Sequence, residues 1–495
     1  MVESGFEDRV LLGVADARIT GSQFGDLVRR SSTLISGEFS SVIYVGENHP
    51  SLPIALFAAA WSGVPFVPVN YRLEGRQLLA LIDRYPNSLI LADRASADRL
   101  LDRQPVVFDD WLIQVSAEIW SGDESSVGPA DNDDDVAIVL FTSGTTSEPK
   151  AALLRHRHLM AYLLGSVEFG SAEESEAVLV SVPPYHVAGM ANLLSNLFAG
   201  RRLVYLESFD PDTWLDRVSR ESITHAMVVP TMLARIVEKL DGAIVRDSSL
   251  ESLAYGGAKV SERVLREALQ VFPTTGFVNA YGLTETASTI AVLGPDDHRQ
   301  ALLSDDPVIR QRLASVGQIL PMIEIEIRDD HDEVVAPGEV GAIYLRGEQV
   351  AGEYSSGSLL DAEGWFCTRD RGWVDPEGYL YIEGRADDTI IRGGENIAPA
   401  EIEEVLLSLA GVAEACVVGL PDDEWGQRIV AVVVPQSGQV IDTEMLKAEV
   451  RAKLRGSKTP EEIIVRNSLP HTETGKMLRR VVQQELADRR GGTSS

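Results

Sequence analysis

Cysteine is almost missing from this chain. Two of its 495 residues, Cys367 and Cys416, carry a thiol. That excludes a disulfide framework and a cysteine-built metal centre, and it fits a reducing, cytoplasmic setting. Lysine is also scarce, at positions 150, 239, 259, 447, 453, 458 and 476 only; the other basic residues are arginine. This reads first as a compositional preference, yet Lys150 and Lys476 fall inside the sharpest motifs. Aromatic residues make up 6%. No secretory signal is expected at the start, where Glu3, Glu7, Asp8 and Arg9 interrupt any apolar run. The longest uncharged stretch, residues 52–71, is broken by Pro53, Gly63, Pro65 and Pro68. It predicts a buried helix followed by a strand, not a membrane span. No repeat of about 20–50 residues is present. Basic residues are the minority charge, 44 against 75 acidic, for a net charge of −31. Such a surface repels phosphate backbones and anionic lipid, so nucleic acid and membrane are poor partners, and neither nucleic acid nor a membrane span is expected. An anionic ligand must be held by a local site.

What remains is ordinary globular composition, 44% hydrophobic and 24% charged. At roughly 100–200 residues per domain, the length predicts two to four folding units. Strand and helix patterns alternate at first: Ser41-Val42-Ile43-Tyr44-Val45 as a strand, residues 78–82 in a helix, residues 88–92 as a strand. This alternation predicts parallel sheets covered by helices. An acidic linker is expected over residues 121–135. From about 316 to 384 the pattern changes to short β runs (324–327, 342–345, 378–381), predicting a small barrel or β-subdomain. Beyond a polar run at 384–388, Pro399 opens a predicted helix with Ile402, Val405, Leu406 and Leu409 on one face. Strands at 415–418 and 429–434 and a helix over 445–454 follow.

The strongest local signal is Thr142-Ser143-Gly144-Thr145-Thr146-Ser147-Glu148-Pro149-Lys150, between an apolar run at 136–141 and an apolar stretch expected to be helical. Hydroxyls, a glycine and a lysine together make a loop able to wrap phosphate oxygens. A polar Ser/Thr turn is the equally available reading. No GxxxxGK[ST] sequence occurs. The basic cluster Arg155-His156-Arg157-His158 reads as a solvated helix start.

Other segments recur in a fixed order: Pro183-Pro184-Tyr185-His186, Tyr255-Gly256-Gly257-Ala258, Asn279-Ala280-Tyr281-Gly282-Leu283-Thr284-Glu285, Gly364-Trp365-Phe366 with Thr368-Arg369-Asp370, Gly384-Arg385-Ala386-Asp387, Arg392-Gly393-Gly394-Glu395-Asn396-Ile397 and Thr474-Gly475-Lys476. Over nearly its whole length the chain resembles the AMP-forming adenylate superfamily, which includes acyl- and aryl-CoA ligases, peptide-synthetase adenylation domains and luciferases. Acyl- and aryl-CoA ligases are the nearest in kind. Two departures stand out: Ser147 and Arg369 occupy positions where glycine is usual.

The resemblance implies an α/β fold. A large N-terminal domain of parallel sheets sandwiched by helices would span 1–384, with a small β-barrel subdomain at about 316–384. A hinge would lie at 385–388, with Asp387 as the pivot, and a small mobile α+β C-terminal domain at 389–495. It implies that a carboxylate attacks the α-phosphate of ATP, and that coenzyme A takes the acyl group from the acyl-adenylate. Thr142, Ser143, Gly144, Thr145, Thr146 and Lys150 would hold the β- and γ-phosphates. Tyr281 would stack on adenine, with Gly256, Gly257, Ala258 and Asn279 around it. Thr284 would touch the α-phosphate, Glu285 would bind Mg²⁺, and Asp370 would hold the ribose beside Arg385. Lys476 would bridge the carboxylate and the α-phosphate. Gly393 and Gly394 would line a pantetheine tunnel and Trp425 would meet the CoA nucleotide. Tyr185, His186, Val187, Met190, Val229 and Met232 would line the acid pocket, apolar and without an obvious cation, suiting an aryl or longer alkyl tail. His186, Tyr281, Trp425, Glu285, Asp370 and Lys476 each also have a plain structural reading. An amine or a carrier-protein thiol is the alternative acceptor, and a non-catalytic nucleotide-binding protein the alternative of another class. A monomer or homodimer is expected.

Overall fold

The computed structural model describes residues 5–14, 17–117, 128–142, 149–246, 248–422, 424–436, 438–472 and 477–491. Two large mixed sheets dominate. The first runs in the order Gln318–Ile319, Ser288–Leu293, Gly276–Leu283, Ser252–Gly256, His225–Val228, Ala177–Val180, Arg202–Tyr205, Val10–Val14, Ala17–Thr20. Its middle is parallel and its ends antiparallel. The second runs Gly357–Ser358, Glu353–Tyr354, Lys150–Arg155, Val136–Thr142, Phe66–Val69, Ser41–Val45, Ser88–Ala92, Val106–Val107. It is parallel from Val136–Thr142 onward.

Helices fill the space between these sheets. Ser51–Trp61 is apolar on nearly every face and buried along most of its length, as the proline-punctuated run predicts. Gly21–Ile35 packs beside it, its start fixed by a capping box between Thr20 and Gln23. One core joins these helices and Val187–Ala199 to both sheets, through Leu12, Val180 and Leu203 on one side and Val42, Tyr44 and Leu140 on the other. Burial of these side chains contributes roughly 1.5–3 kcal/mol each, so the sheets are held in a fixed relation.

The segment expected to form a small barrel is an open antiparallel sheet of Glu324–Arg328, Gly341–Arg346, Phe366–Val374 and Leu380–Arg385. Its first and last strands do not pair; so few strands cannot curl around a filled interior. After residue 389 come a short hairpin, Ile390–Arg392 with Glu395–Ile397, and a sheet of Val412–Asp422, Gly426–Pro435 and Glu462–Val465. The helices Pro399–Leu407 and Thr443–Lys453 cover it around Ile402, Leu406, Leu446 and Val450. Leu409, expected on the first helix, lies beyond its end.

Two further expectations change. The stretch after the Ser/Thr loop is a strand, Lys150–Arg155, before the helix His156–Ser166 begins. Antiparallel pairing with Val136–Thr142 satisfies its backbone and overrides its helical composition. The basic cluster is only partly solvated. Arg155 grips Glu353 through two hydrogen bonds, at 2.8 and 2.6 Å, and His158 is buried with Nδ1 accepting from the Arg155 amide.

Candidate active site

Several of the expected site residues lie where strands of the two large sheets end. Gly256 closes Ser252–Gly256, Thr142 closes Val136–Thr142, Pro183–His186 follows Ala177–Val180, and Val229–Met232 follows His225–Val228. Crevices beyond the carboxyl ends of parallel strands are where open α/β sheets bind ligands, because backbone groups and helix starts converge there. Gly256 pairs with Ala280, and a Cβ on it would stand 2.3 Å from the Ala280 carbonyl oxygen. Gly257 follows with φ of +84° and open space around it. Gly256 thus permits the close approach of the Ala280 strand, while Gly257 leaves room for a flat group. Asn279 donates to the Ser315 carbonyl at 3.4 Å.

Asp370 is buried and held at both oxygens. Tyr281 donates its hydroxyl to Oδ2 at 2.5 Å, and Arg385 donates to Oδ1 at 3.1 Å. Burial, followed by the neighbouring Asp370 charge, pushes the Tyr281 hydroxyl well above its ordinary pKa, so it stays a donor. Thr368 fixes the turn: its Oγ1 donates to the Ile343 carbonyl and accepts from the Asp370 amide, and its carbonyl accepts from Arg385. The turn places Arg369 at φ of +62°, where glycine is free of strain and arginine is not. Arg369 Nη1 lies 3.9 Å from Asp387.

Thr284 and Glu285 stand in the short 3₁₀ turn Thr284–Thr286 that ends the strand Gly276–Leu283. Glu285 Oε1 accepts from the Tyr354 hydroxyl at 2.5 Å, and Tyr354 lies 3.1 Å from the Thr142 hydroxyl. Sequence reasoning missed Tyr354, which reaches Glu285 through sheet pairing that no local signal marks. No group of three or more metal-ligating side chains occurs among the described residues. A single carboxylate suits Mg²⁺, which keeps water and binds phosphate oxygens in place of a full protein cage.

His186 caps the helix Val187–Ala199, its ring tilted against Tyr185 at 4.5 Å. Burial, then the Arg72 charge, lowers its pKa to about 4, so the ring is neutral near pH 7. Tyr185, Met190, Val229 and Met232 are buried, and Tyr71 meets Tyr185 edge-on at 5.8 Å. The cavity beside them, about 140 Å³, is bordered by Pro183, Pro184 and Met232 but also by Arg72, Arg235 and Glu207. Two cations therefore border this cavity: Arg235 stands on the helix Pro230–Leu240 with Met232, and Arg72 comes from a segment remote in sequence.

The C-terminal region supplies the remaining candidates. A Cβ on Gly393 would sit 2.9 Å from the Trp425 ring, and the Gly393 amide donates to the Trp425 carbonyl at 2.8 Å. Arg392 lies over the same ring at 4.9 Å. Asp387 sits in the short turn Ala386–Asp388, between Arg369 and Arg480. Arg479 pairs with Asp388 and with both oxygens of Glu403. Lys259 reaches Glu404 at 2.9 Å, across a cleft of about 550 Å³. Lys150 opens its strand, exposed. Ser143, Gly144, Thr145, Thr146, Ser147 and Lys476 lie outside the described residues.

The AMP-binding enzyme family matches residues 4–355, and its AMP-binding enzyme C-terminal domain matches residues 401–476. The chain belongs to the AMP-binding enzyme family. Among curated relatives of this AMP-binding enzyme, an indoleacetate–CoA ligase of Aromatoleum aromaticum is 33% identical over 94% of this chain and 93% of the relative. A feruloyl-CoA synthase of Amycolatopsis is 31% identical over 94% of each. Among solved structures, o-succinylbenzoate CoA synthetase of Bacillus subtilis, in complex with its acyl-adenylate intermediate, superposes on this AMP-binding enzyme with a TM-score of 0.82. That pair is 26% identical and covers 97% of this chain and 96% of the other.

Proposed function

We propose that this AMP-binding enzyme joins a carboxylic acid to coenzyme A in two steps, first making the acyl-adenylate from ATP with release of pyrophosphate. The observation that carries the reading is the doubly held carboxylate of Asp370, which accepts from Tyr281 and Arg385, together with the open space at Gly257. That arrangement suits a nucleoside, with the ring lying along the glycines and the ribose hydroxyls donating to Asp370. Thr142, Ser143, Gly144, Thr145, Thr146 and Lys150 meet the outer phosphates, and Thr284 meets the α-phosphate. Mg²⁺ at Glu285 supplies charge neutralisation on the phosphates.

The chemistry asks mostly for positioning. Two anions must approach, and Lys476 neutralises the charge that builds between them. His186, neutral, borders the acid without adding charge. Tyr185, Val187, Met190, Val229 and Met232 give the acid an apolar bed. The aromatic acids named for the two curated relatives support an aryl acid here. In the second step the region after a hinge at 385–388 turns about Asp387 and brings Gly393, Gly394 and Trp425 to the thiol arm. The body acting as one unit before that hinge is 1–384, and the moving unit is 389–495.

Carboxylate-dependent pyrophosphate exchange over a panel of aryl and alkyl acids tests the first step. Product analysis with coenzyme A alone, an amine alone and both tests the second. No exchange with any acid overturns the reading, and amide in place of thioester replaces the acceptor.

A further inference from the structure

Tyr354 is buried, at 7% exposure, in the two-residue strand Glu353–Tyr354. That strand pairs with Lys150–Arg155, Tyr354 facing Ala152, and the Ser355 amide donates to the Ala151 carbonyl at 2.9 Å. The Arg155–Glu353 fork joins the same two strands through side chains. The strand is thus welded to the one that leaves the Ser/Thr loop. On its other side, the Gly352 amide donates to the Glu285 carbonyl at 2.9 Å.

The phenol carries one proton. It is spent on Glu285 Oε1, so the 3.1 Å contact with Thr142 requires the threonine hydroxyl to donate to Tyr354 Oη. The result is a directed chain: Thr142 to Tyr354 to Glu285. One oxygen of Glu285 is held, and among the described residues no hydrogen bond reaches Oε2.

We propose that Tyr354 is a positioning residue for adenylation, orienting the Glu285 carboxylate for the metal–nucleotide complex and tying it to Thr142 at the entry of the phosphate loop. The proposal rests on the reading of Glu285 as the metal-holding group. It also assigns Thr142 a choice: its single proton serves Tyr354 or a phosphate oxygen, so nucleotide binding and release of this bond are coupled.

The test uses the full chain with Tyr354→Phe and Mn²⁺ as the probe, titrated by electron paramagnetic resonance with α,β-methylene-ATP present. Mn²⁺ affinity is expected to fall about tenfold, the loss typical of a hydrogen bond to a charged group. AMP affinity is expected to hold, and the Mg²⁺ requirement of pyrophosphate exchange to rise while thioester formation from supplied acyl-adenylate is unchanged. Unchanged Mn²⁺ affinity, or an equal loss of AMP binding, overturns the proposal. Glu285→Gln serves as the reference. If it leaves Mn²⁺ affinity intact, the metal reading itself fails; if it weakens Mn²⁺ and Tyr354→Phe does not, only the role of Tyr354 fails. Should Tyr354→Phe unfold, 3-fluorotyrosine placed at 354 gives a fluorine resonance in a folded chain. That resonance should shift when Mg²⁺ is added to the nucleotide complex, and a resonance indifferent to Mg²⁺ overturns the proposal.

Discussion

Tyr281 donates its hydroxyl to Asp370 across 2.5 Å, joining the strand Gly276–Leu283 of a large sheet to the strand Phe366–Val374 of the small one. Removing that hydroxyl leaves a buried carboxylate with Arg385 as its remaining side-chain donor. Tyr281→Phe is expected to weaken ATP and AMP alike by about 1.5–3 kcal/mol, the worth of a hydrogen bond to a charged group. Calorimetric titration with both nucleotides measures it. A loss confined to ATP would place the effect on the phosphates and contradict the ribose reading.

Gly393 has φ of +57°, and an added Cβ would meet the Trp425 ring at 2.9 Å. Gly393→Ala therefore suffers twice, in backbone strain and in displacement of the tryptophan. The expected outcome is a fall of about tenfold or more in thioester formation from that strain, with pyrophosphate exchange nearly unchanged. Equal loss in both half-reactions would remove Gly393 from the thiol path.

Lys476→Ala should show the opposite pattern. Adenylation is expected to fall by about 10²–10³, the worth of one preorganised donor, while thioester formation from supplied acyl-adenylate survives. Rapid-quench assays of the separate half-reactions decide it; parallel losses would argue against a hinge that exchanges two surfaces at one site.

Acid should destabilise the fold through its histidines. Burial lowers the pKa of His158, His186 and His225 from 6.5 to about 4 in each case. Between those values the unfolded chain takes up protons that the folded chain refuses, so stability falls as pH falls through that window and is complete above it. Urea midpoints measured across the window should drop steadily towards acid. His225→Gln should flatten the slope by its share, and an unchanged slope would show that His225 titrates normally in the fold.

Much of this molecule was legible from residue order. Runs such as Ser41–Val45 and the helix Ser51–Trp61 announce themselves because burial on both faces leaves little choice of residue. Motif residues carry local backbone demands, as Gly256 and Gly257 do, so they show in a linear string. Partners brought in from a distance do not. Tyr354 meets Glu285 through sheet pairing, and Arg72 nears His186 through the packing of two sheets; neither contact leaves a mark at its own position. The strand Lys150–Arg155 reads as helical in sequence for the same reason, since its neighbour settles its form. Ion pairs such as Arg155 with Glu353 likewise depend on a third dimension that spacing does not encode.

Thr142 and Lys150 face each other on one rung of antiparallel sheet. The two feet of the glycine- and hydroxyl-bearing segment therefore stand a single strand spacing apart before any ligand arrives, about 4.5–5.5 Å between Cα atoms. The entropy of closing that ring is spent during folding and is not charged against nucleotide affinity. Lengthening the segment by a residue or two should then cost the fold little, while the chemistry, which needs each hydroxyl at its own phosphate, should tolerate no such freedom.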